Sequence, residues 1–276
     1  MKPEIAEEMP FYLPGSPEFV QGLQLFLRHT NEYDALLPWY DRFIDSLPVR
    51  NAYLEIGAGD GSSLTAHADR RFRFGVVVEK NEELVPSIRA HCPSALVLSR
   101  DWNELTEGEL AALVAQREPA LLGGERGLFD LVQLAHVLYY FAPAQQRLLL
   151  RRLAPLVRPG GAMLLCLQDE SSDFHALYHT FSPHYYNLRH LGEWFAAEFE
   201  DQGWRVTSEV LSGEVTTDQK AIAQQIAEFM ICYLPFAPLP RRAALARWVE
   251  TKLWRAAERL YVARNPQRVV VCRQSR

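Results

Sequence analysis

The sequence predicts a doubly wound α/β fold, a parallel sheet with helices on both faces. Three observations predict it. Short apolar runs alternate with helical stretches over residues 50–170, a glycine-rich turn follows the first run, and an acidic residue closes the second.

Residues 1–15 read as a loose leader. Their opening "MKPEIAEEMP" is acidic and carries prolines, which does not fit a secretory signal. "SPEFVQGLQLFLRHT" reads as a helix. Ser16 suits its cap, Pro17 its first position and Glu18 its first turn, with Phe19, Leu23, Phe26 and Leu27 on one face. A second helix is expected over 33–47, limited or kinked by Pro38. Strands are then expected at 53–56, 75–78, 95–98, 128–134 and 162–167. The helices between them are "SLTAHADRR", "EELVPSIRAH", "EGELAALVAQ" and "QQRLLLRRLAPLV", and "VRPGG" reads as a helix stop and turn.

The last third has a different texture. "WRVTSEVL" and "QRVVVCRQ" are β-rich and read as terminal strands that close the sheet. Between them "DQKAIAQQIAEFMICYLPF" and "RRAALARWVETKLWRAAERLY" read as a helical insertion. Ile222, Ile226, Phe229 and Met230 fall at helical spacing there, as core residues do.

Composition bounds the function. The chain has 276 residues, 48% hydrophobic and 23% charged, as expected of a globular protein with one enlarged domain or an inserted subdomain. A net charge of −5 gives no electrostatic case for nucleic acid or an anionic membrane as partner. No apolar run approaches the roughly 20 residues of a membrane span. Cys92, Cys166, Cys232 and Cys272 are scattered without a CxxC pair. They read as buried apolar residues in a reducing compartment, which makes the cytoplasm the default location.

The chemistry starts at "YLEIGAGDGSSL". Three glycines follow the first strand in the pattern Glu55-x-Gly57-x-Gly59-x-Gly61. Glycine lets a backbone turn tightly and approach a ligand closely. The dinucleotide fingerprint fits in neither frame, because its third glycine would fall on Ser62 or Leu64, and no P-loop lysine is present. Two carboxylates, Glu55 and Asp60, also border the loop, which suits a cationic, hydroxyl-bearing ligand better than a pyrophosphate. Glu79, eighteen residues after Gly61, closes the second strand, where an acid accepts hydrogen bonds from ribose hydroxyls.

In this order and spacing the residues resemble the class I S-adenosylmethionine-dependent methyltransferases, over residues 50–170. The resemblance implies a seven-stranded Rossmann-like methyltransferase sheet, with N-terminal helices and a helical insertion before the last strand. It implies S-adenosylmethionine as cofactor. "RDWNEL" supplies Asp101 and Trp102 for the adenine, and "FDLVQLAHVLYYF" resembles the fourth-strand motif, with Ala135 at the cofactor. "LVRPGGAMLLCLQ" is similar to the fifth strand with its entering turn.

The rest of the chain is similar to the histamine N-methyltransferase-like enzymes. "FLRHTNEY" places Glu32 at that group's substrate glutamate, and "HVLYYF" places Tyr139 and Tyr140 at its substrate pocket. "SSDFHALYHTF" puts Phe174 and Tyr178 where that group has tryptophans. "RNPQRVVVC" puts Asn265 at a substrate-contacting asparagine, and His136 stands where that group has glutamine. These departures separate the chain from histamine itself. The resemblance implies a division into an N-terminal helical cap (1–48), a cofactor domain (49–213 with 264–276) and an inserted cap (214–263).

The expected activity is methyl transfer to a nitrogen of a small amine- or imidazole-like molecule. The alternatives are O- or S-methylation of a small aromatic metabolite, or a silent fold that binds ligand only. Aromatic walls exclude water and tolerate a nearby cation, which is the role expected of Tyr139, Tyr140, Phe174 and Tyr178. Glu32 is expected to anchor a cationic amine, or else to cap the second helix. His136 is expected to accept a proton, to orient the nucleophile, or to be structural. His175, His179, His184 and His190 lack an HExxH pattern and read as a polar lid, so no metal is expected. A small-molecule substrate is the expected partner, and a monomer is favoured.

Overall fold

A computed structural model describes residues 16–117, 127–181, 186–232 and 241–275; the expected leader over 1–15 and His184 lie outside them. Among the described residues the order begins α1 (Pro17–His29), α2 (Glu32–Asp45), β1 (Ala52–Ile56), α3 (Leu64–Arg71), β2 (Phe74–Val78), α4 (Val85–His91), β3 (Ala95–Leu98) and α5 (Glu107–Arg117). It continues with β4 (Phe129–Ala135), α6 (Pro143–Leu153), β5 (Val157–Gln168), α7 (Asp173–Phe181), α8 (Leu188–Glu198), β6 (Trp204–Leu211) and β7 (Glu214–Thr217). It ends with α9 (Lys220–Cys232), α10 (Arg242–Lys252), β8 (Trp254–Arg255), β9 (Leu260–Arg264) and β10 (Gln267–Gln274).

The chain divides into two compact units. One comprises 35–167, 187–211 and 268–276, the other 1–34, 168–186 and 212–267. The cut falls inside α2 at residue 34, and α7 groups with the insertion.

The first unit is built on a seven-stranded sheet in the order β3-β2-β1-β4-β5-β10-β6. The pairs β1–β2, β1–β4, β2–β3 and β4–β5 are parallel. Strands β1 and β2 are buried along their whole length, which is why they read as unbroken apolar runs rather than alternating ones. The order reverses at β1 and β4, so the loops after these strands flank the switch point where open α/β sheets bind ligands. Helix α3 is tied to one face of β1 by residues one helical turn apart. Tyr53 donates to Asp69 Oδ1 at 3.2 Å, and Thr65 bonds Glu55. Gly75 on β2 leaves room for the Tyr53 ring, since a Cβ there would lie 2.2 Å from it.

"VRPGG" is a correction. The helix stop comes earlier, in the 3₁₀ turn Ala154–Leu156, and the motif itself begins β5. Val157 pairs with Phe129 and Ala162 with Leu131, so residues 158–161 stand opposite Asp130 alone. This is a bulge of the special, multi-residue kind, and Pro159 and the positive φ of Gly160 are tolerated because the ladder is already broken there. Asp130 uses the space to accept the backbone N–H groups of Asn51 and Ala52 at 2.8 and 2.9 Å, which fixes the entry to β1.

The second unit holds α1, α7, α9, α10 and a three-stranded antiparallel sheet, β7-β9-β8. Ser16 caps α1, its Oγ accepting from Phe19 N–H at 3.1 Å. Phe19, Gly22 and Phe26 are the buried face, while Leu23 and Leu27 are half-buried. Gly22 permits the close approach of α1 to α9, because a Cβ there would lie 2.4 Å from the Phe229 ring. Ile226, Phe229 and Met230 are buried as expected. The helical reading of "RRAALARWVETKLWRAAERLY" holds only to Lys252. "LWRAAERLY" instead forms the β8–β9 hairpin, with Arg259 at φ 55° in its turn. Pairing of β9 with β7 and burial of Tyr261, Val262 and Ala263 outweigh the helix preference of Ala, Glu and Arg.

Candidate functional site

The glycine loop connects β1 to α3 in the sheet unit. Gly57, Gly59 and Gly61 all have positive φ, at 72°, 61° and 75°. Side chains rarely adopt that region, so the conformation itself requires glycine. The three differ in surroundings. A Cβ on Gly57 would lie 2.5 Å from Val137 Cγ2, and one on Gly61 would lie 3.0 Å from the Ile88 backbone. A Cβ on Gly59 would meet nothing within 4 Å. Gly57 and Gly61 therefore pack the loop against its neighbours, while Gly59 borders open space.

Glu79 closes β2 and is buried. Its carboxylate accepts Gly59 N–H at 3.2 Å through Oε2 and Asn81 N–H at 2.9 Å through Oε1. Burial raises its pKa, and these two backbone donors oppose the rise. Glu79 thus meets the glycine loop directly. Asp60 turns back on Ser62, accepting its N–H and Oγ–H at 3.0 and 2.7 Å.

Glu55 does not face the loop surface as its spacing suggested. It lies next to the end of β1, 2% exposed, and its Oε2 accepts from Gln133 Nε2 at 2.6 Å. Gln133 Oε1 in turn accepts from the Tyr40 hydroxyl. Burial raises the Glu55 pKa to about 7 against the bonds from Thr65 and Gln133. Sequence reasoning missed Tyr40 and Gln133. The signal was a glutamine inside the apolar run "FDLVQLA", since a polar side chain in a buried strand needs a partner.

At the end of β3, Asp101 caps a 3₁₀ turn, its Oδ1 accepting from Asn103 N–H at 2.9 Å. Trp102 is buried, with the Arg152 guanidinium 5.5 Å from its ring centroid. Two buried donors beyond neighbouring strands, Asn81 Nδ2 and Trp102 Nε1, have no hydrogen-bond partner among the described residues.

Beyond β4, Ala135 is half-buried and His136 has φ 53°, a left-handed conformation that is uncommon for histidine. Its backbone N–H donates to Cys166 O at 2.9 Å, and burial pulls the imidazole pKa down to about 4. Tyr139 and Tyr140 follow in the 3₁₀ turn Leu138–Tyr140, half-buried, with ring centroids 4.7 Å apart.

The remaining expected residues lie in the other unit. Glu32 is 1% exposed, and its Oε2 accepts Asn265 Nδ2–H at 2.7 Å and Gln267 Nε2–H at 2.9 Å. Glu32 is the first residue of α2, and its side chain meets Asn265 and Gln267 at the junction of β9 and β10 as well as Thr30 and Tyr33 beside its own helix start. Two residues far apart in sequence, Glu32 and Asn265, are thus brought together. Gln267 joins them and was not foreseen. Its Oε1 is buried without a partner among the described residues. Ser172 Oγ donates to Asn265 Oδ1 at 3.2 Å. Burial raises the Glu32 pKa to about 8, opposed by bonds from Thr30, Tyr33 and Asn265.

Phe174 and Tyr178 on α7 are buried. Phe174 lines a small apolar pocket with Val215, Ile226, Leu253 and Ala263. On the same helix His175 and His179 lie ring to ring, 4.9 Å apart, and His175 Nε2 is 3.1 Å from Tyr186 O. His190 lies exposed on α8 in the sheet unit. Among the described residues no group of three or more His, Cys, Asp or Glu is placed to hold a metal ion. No helix among them is long and apolar enough to cross a membrane.

The comparisons agree with this architecture. A family model described as a methyltransferase domain matches residues 27–209. A search of curated protein sequences finds no match. Among solved structures the chain is similar to the YcgJ protein from Bacillus subtilis, at 14% identity and a TM-score of 0.55, over 86% of this chain and 98% of that one. It is similar to a functionally unknown protein from Deinococcus radiodurans, at 20% identity and a TM-score of 0.50, over 86% of each chain. It is also similar to the plantazolicin methyltransferase BpumL in complex with SAH, at 9% identity and a TM-score of 0.50, over 93% of this chain and 87% of that one. These likenesses carry the fold. Neither they nor the family model reach the narrower histamine N-methyltransferase-like group.

Proposed function

The chain belongs to the methyltransferase-domain family, and from that premise we propose that it transfers the methyl group of S-adenosylmethionine to a nitrogen of a small amine- or imidazole-like molecule. The observation that carries the cofactor half is the glycine loop with Glu79. Its three glycines are left-handed, Gly59 borders open space, and Glu79 sits against it at the end of the next strand.

The donor set fits that ligand. S-adenosylmethionine offers hydroxyl and ammonium donors, and Glu79 and Asp101 supply acceptors at the ends of β2 and β3. It also offers ring-nitrogen acceptors, and Asn81 Nδ2 and Trp102 Nε1 are buried donors without partners among the described residues. Gly57, Gly59, Gly61, Glu79, Asp101, Trp102 and Ala135 would hold it, with Glu55 beneath the loop. When bound, it supplies a methyl group already activated on a sulfonium.

The protein's own task is then to present a lone pair and exclude water. The amine reading is supported by the Glu32 cluster. A carboxylate beside the spare acceptor Gln267 Oε1 suits a group rich in N–H donors, with Asn265 steering the carboxylate. Such an anchor holds a cationic end while another nitrogen reacts. His136 stays neutral at physiological pH and is too weak a base to hold a proton there, so its role is to orient. Tyr139, Tyr140, Phe174 and Tyr178 supply aromatic surface.

Calorimetric titration with S-adenosylmethionine tests the first half, and an absence of binding would end the reading. A mass-shift screen of amines, imidazoles, phenols and thiols tests the second. A methylated amine or imidazole is expected, and a methylated phenol or thiol alone would overturn the nitrogen assignment.

A further inference from the structure

We propose that Tyr40 is a positioning residue for the glycine loop: through Gln133 it fixes the carboxylate of Glu55, which braces both ends of that loop. The inference rests on the cofactor reading above and deepens it.

Three buried polar side chains from three elements form one hydrogen-bonded chain. Tyr40 on α2 donates to Gln133 Oε1 on β4, and Gln133 Nε2 donates to Glu55 Oε2 on β1 at 2.6 Å. The sheet register sets Glu55 directly opposite Gln133. Thr65, on the first turn of α3, bonds the same carboxylate. Glu55 lies just before Gly57 and Thr65 just after Gly61, so the brace spans the loop from strand to helix.

The direction of the chain is fixed at its far end. Burial and the charge of Glu55 raise the Tyr40 pKa well above the usual phenol range, so its hydroxyl keeps its proton and always donates. Gln133 must therefore turn its oxygen to Tyr40 and its NH2 to Glu55. Without the Tyr40 hydroxyl, the amide is free to turn its oxygen towards the carboxylate. Glu55 then loses a donor that favours its ionised form, and the loop loses half its brace.

The titratable groups that act on Glu55 are Glu79, Tyr40, Tyr53 and Cys92. The two tyrosines and the cysteine are all raised by burial and stay neutral near pH 7. The pH dependence of binding near neutrality is therefore read on Glu55, and the same titration on Glu79→Gln removes the contribution of the neighbouring carboxyl.

The test is calorimetric titration of wild type and Tyr40→Phe with S-adenosylmethionine between about pH 6 and about pH 8, with circular dichroism as the check on folding. Tyr40→Phe is expected to weaken binding about tenfold at neutral pH. It is also expected to raise the pH at which affinity is half developed, because ionised Glu55 favours a cationic ligand. Affinity within about twofold of wild type throughout, or weakening with no shift of that midpoint, would overturn the proposal. Should Tyr40→Phe fail to fold, Gln133→Met is read by the same two criteria. A wild type that binds no S-adenosylmethionine removes the cofactor reading and this inference together. A wild type that binds, beside a variant that binds equally well, overturns this inference alone.

Discussion

Gly59 donates its backbone N–H to Glu79 Oε2 at 3.2 Å, which ties the centre of the glycine loop to the end of the neighbouring strand. Glu79 also accepts Asn81 N–H, so one carboxyl group with two acceptor oxygens satisfies two backbone donors. A glutamine has one acceptor oxygen and cannot replace both. Glu79→Gln should weaken S-adenosylmethionine binding about tenfold, the free-energy scale of one charge-assisted hydrogen bond. Calorimetry checks this, and unchanged affinity would show that Glu79 serves the loop backbone alone.

The glycines should fail in different ways. Alanine at either Gly57 or Gly59 carries the left-handed penalty of roughly 1–2 kcal/mol. At Gly57 the new methyl also meets Val137 at 2.5 Å, so Gly57→Ala should cost about 2–4 kcal/mol in urea denaturation. Val137→Ala in the same chain should restore part of that, because the two sites are in contact. Gly59→Ala meets nothing, so its stability cost should stay near the backbone term while ligand affinity falls. Equal destabilisation by the two substitutions would contradict the packing difference between them.

His136 joins an unusual backbone to a neutral ring. With its pKa pulled down to about 4, the imidazole does not titrate near neutrality, so the pH–rate profile should show no limb from it above about pH 5. Asparagine tolerates positive φ and β-branched residues do not. His136→Asn should therefore stay folded, while His136→Val should lose about 1–3 kcal/mol. Thermal melts of the pair check the backbone claim, and the pH profile checks the ring.

The strand–helix alternation and the glycine loop were legible because both depend on local chemistry. Burial on both faces makes a parallel strand apolar, and three left-handed positions demand glycine. Glu79 was legible because its place follows from the length of one βα unit. The β8–β9 hairpin was not, because Ala, Glu and Arg favour helix and only the pairing of Thr216 with Val262 and its neighbours overrides them. The environment of Glu55 was also hidden. Its spacing put it at the loop, but the strand register turned it to Gln133. Gln267 and Tyr40 could not be found from either motif, since their partners lie far away in sequence and only the fold brings them close.

Glu32 gives a prediction in which stability and function move apart. Its carboxyl has a pKa of about 8 in the fold against an ordinary value of 4.5, so the folded chain holds this proton more tightly than the unfolded one. The stability it contributes is therefore full below about pH 4.5 and is lost as pH rises through about 8. Glutamine keeps the size and an acceptor for Asn265 and Gln267 but cannot ionise. Glu32→Gln should thus gain on wild type in Tm as pH rises from about 5 to about 8.5, by a few degrees at the upper end. Turnover of an amine acceptor should fall at the same time, with kcat/KM down about tenfold above about pH 8, where the wild-type carboxyl is ionised and glutamine is not. A Tm difference that ignores pH would mean the carboxyl is not held protonated by burial. Undiminished amine turnover would leave Glu32 as a strut between α2 and β10 and move the amine contact elsewhere.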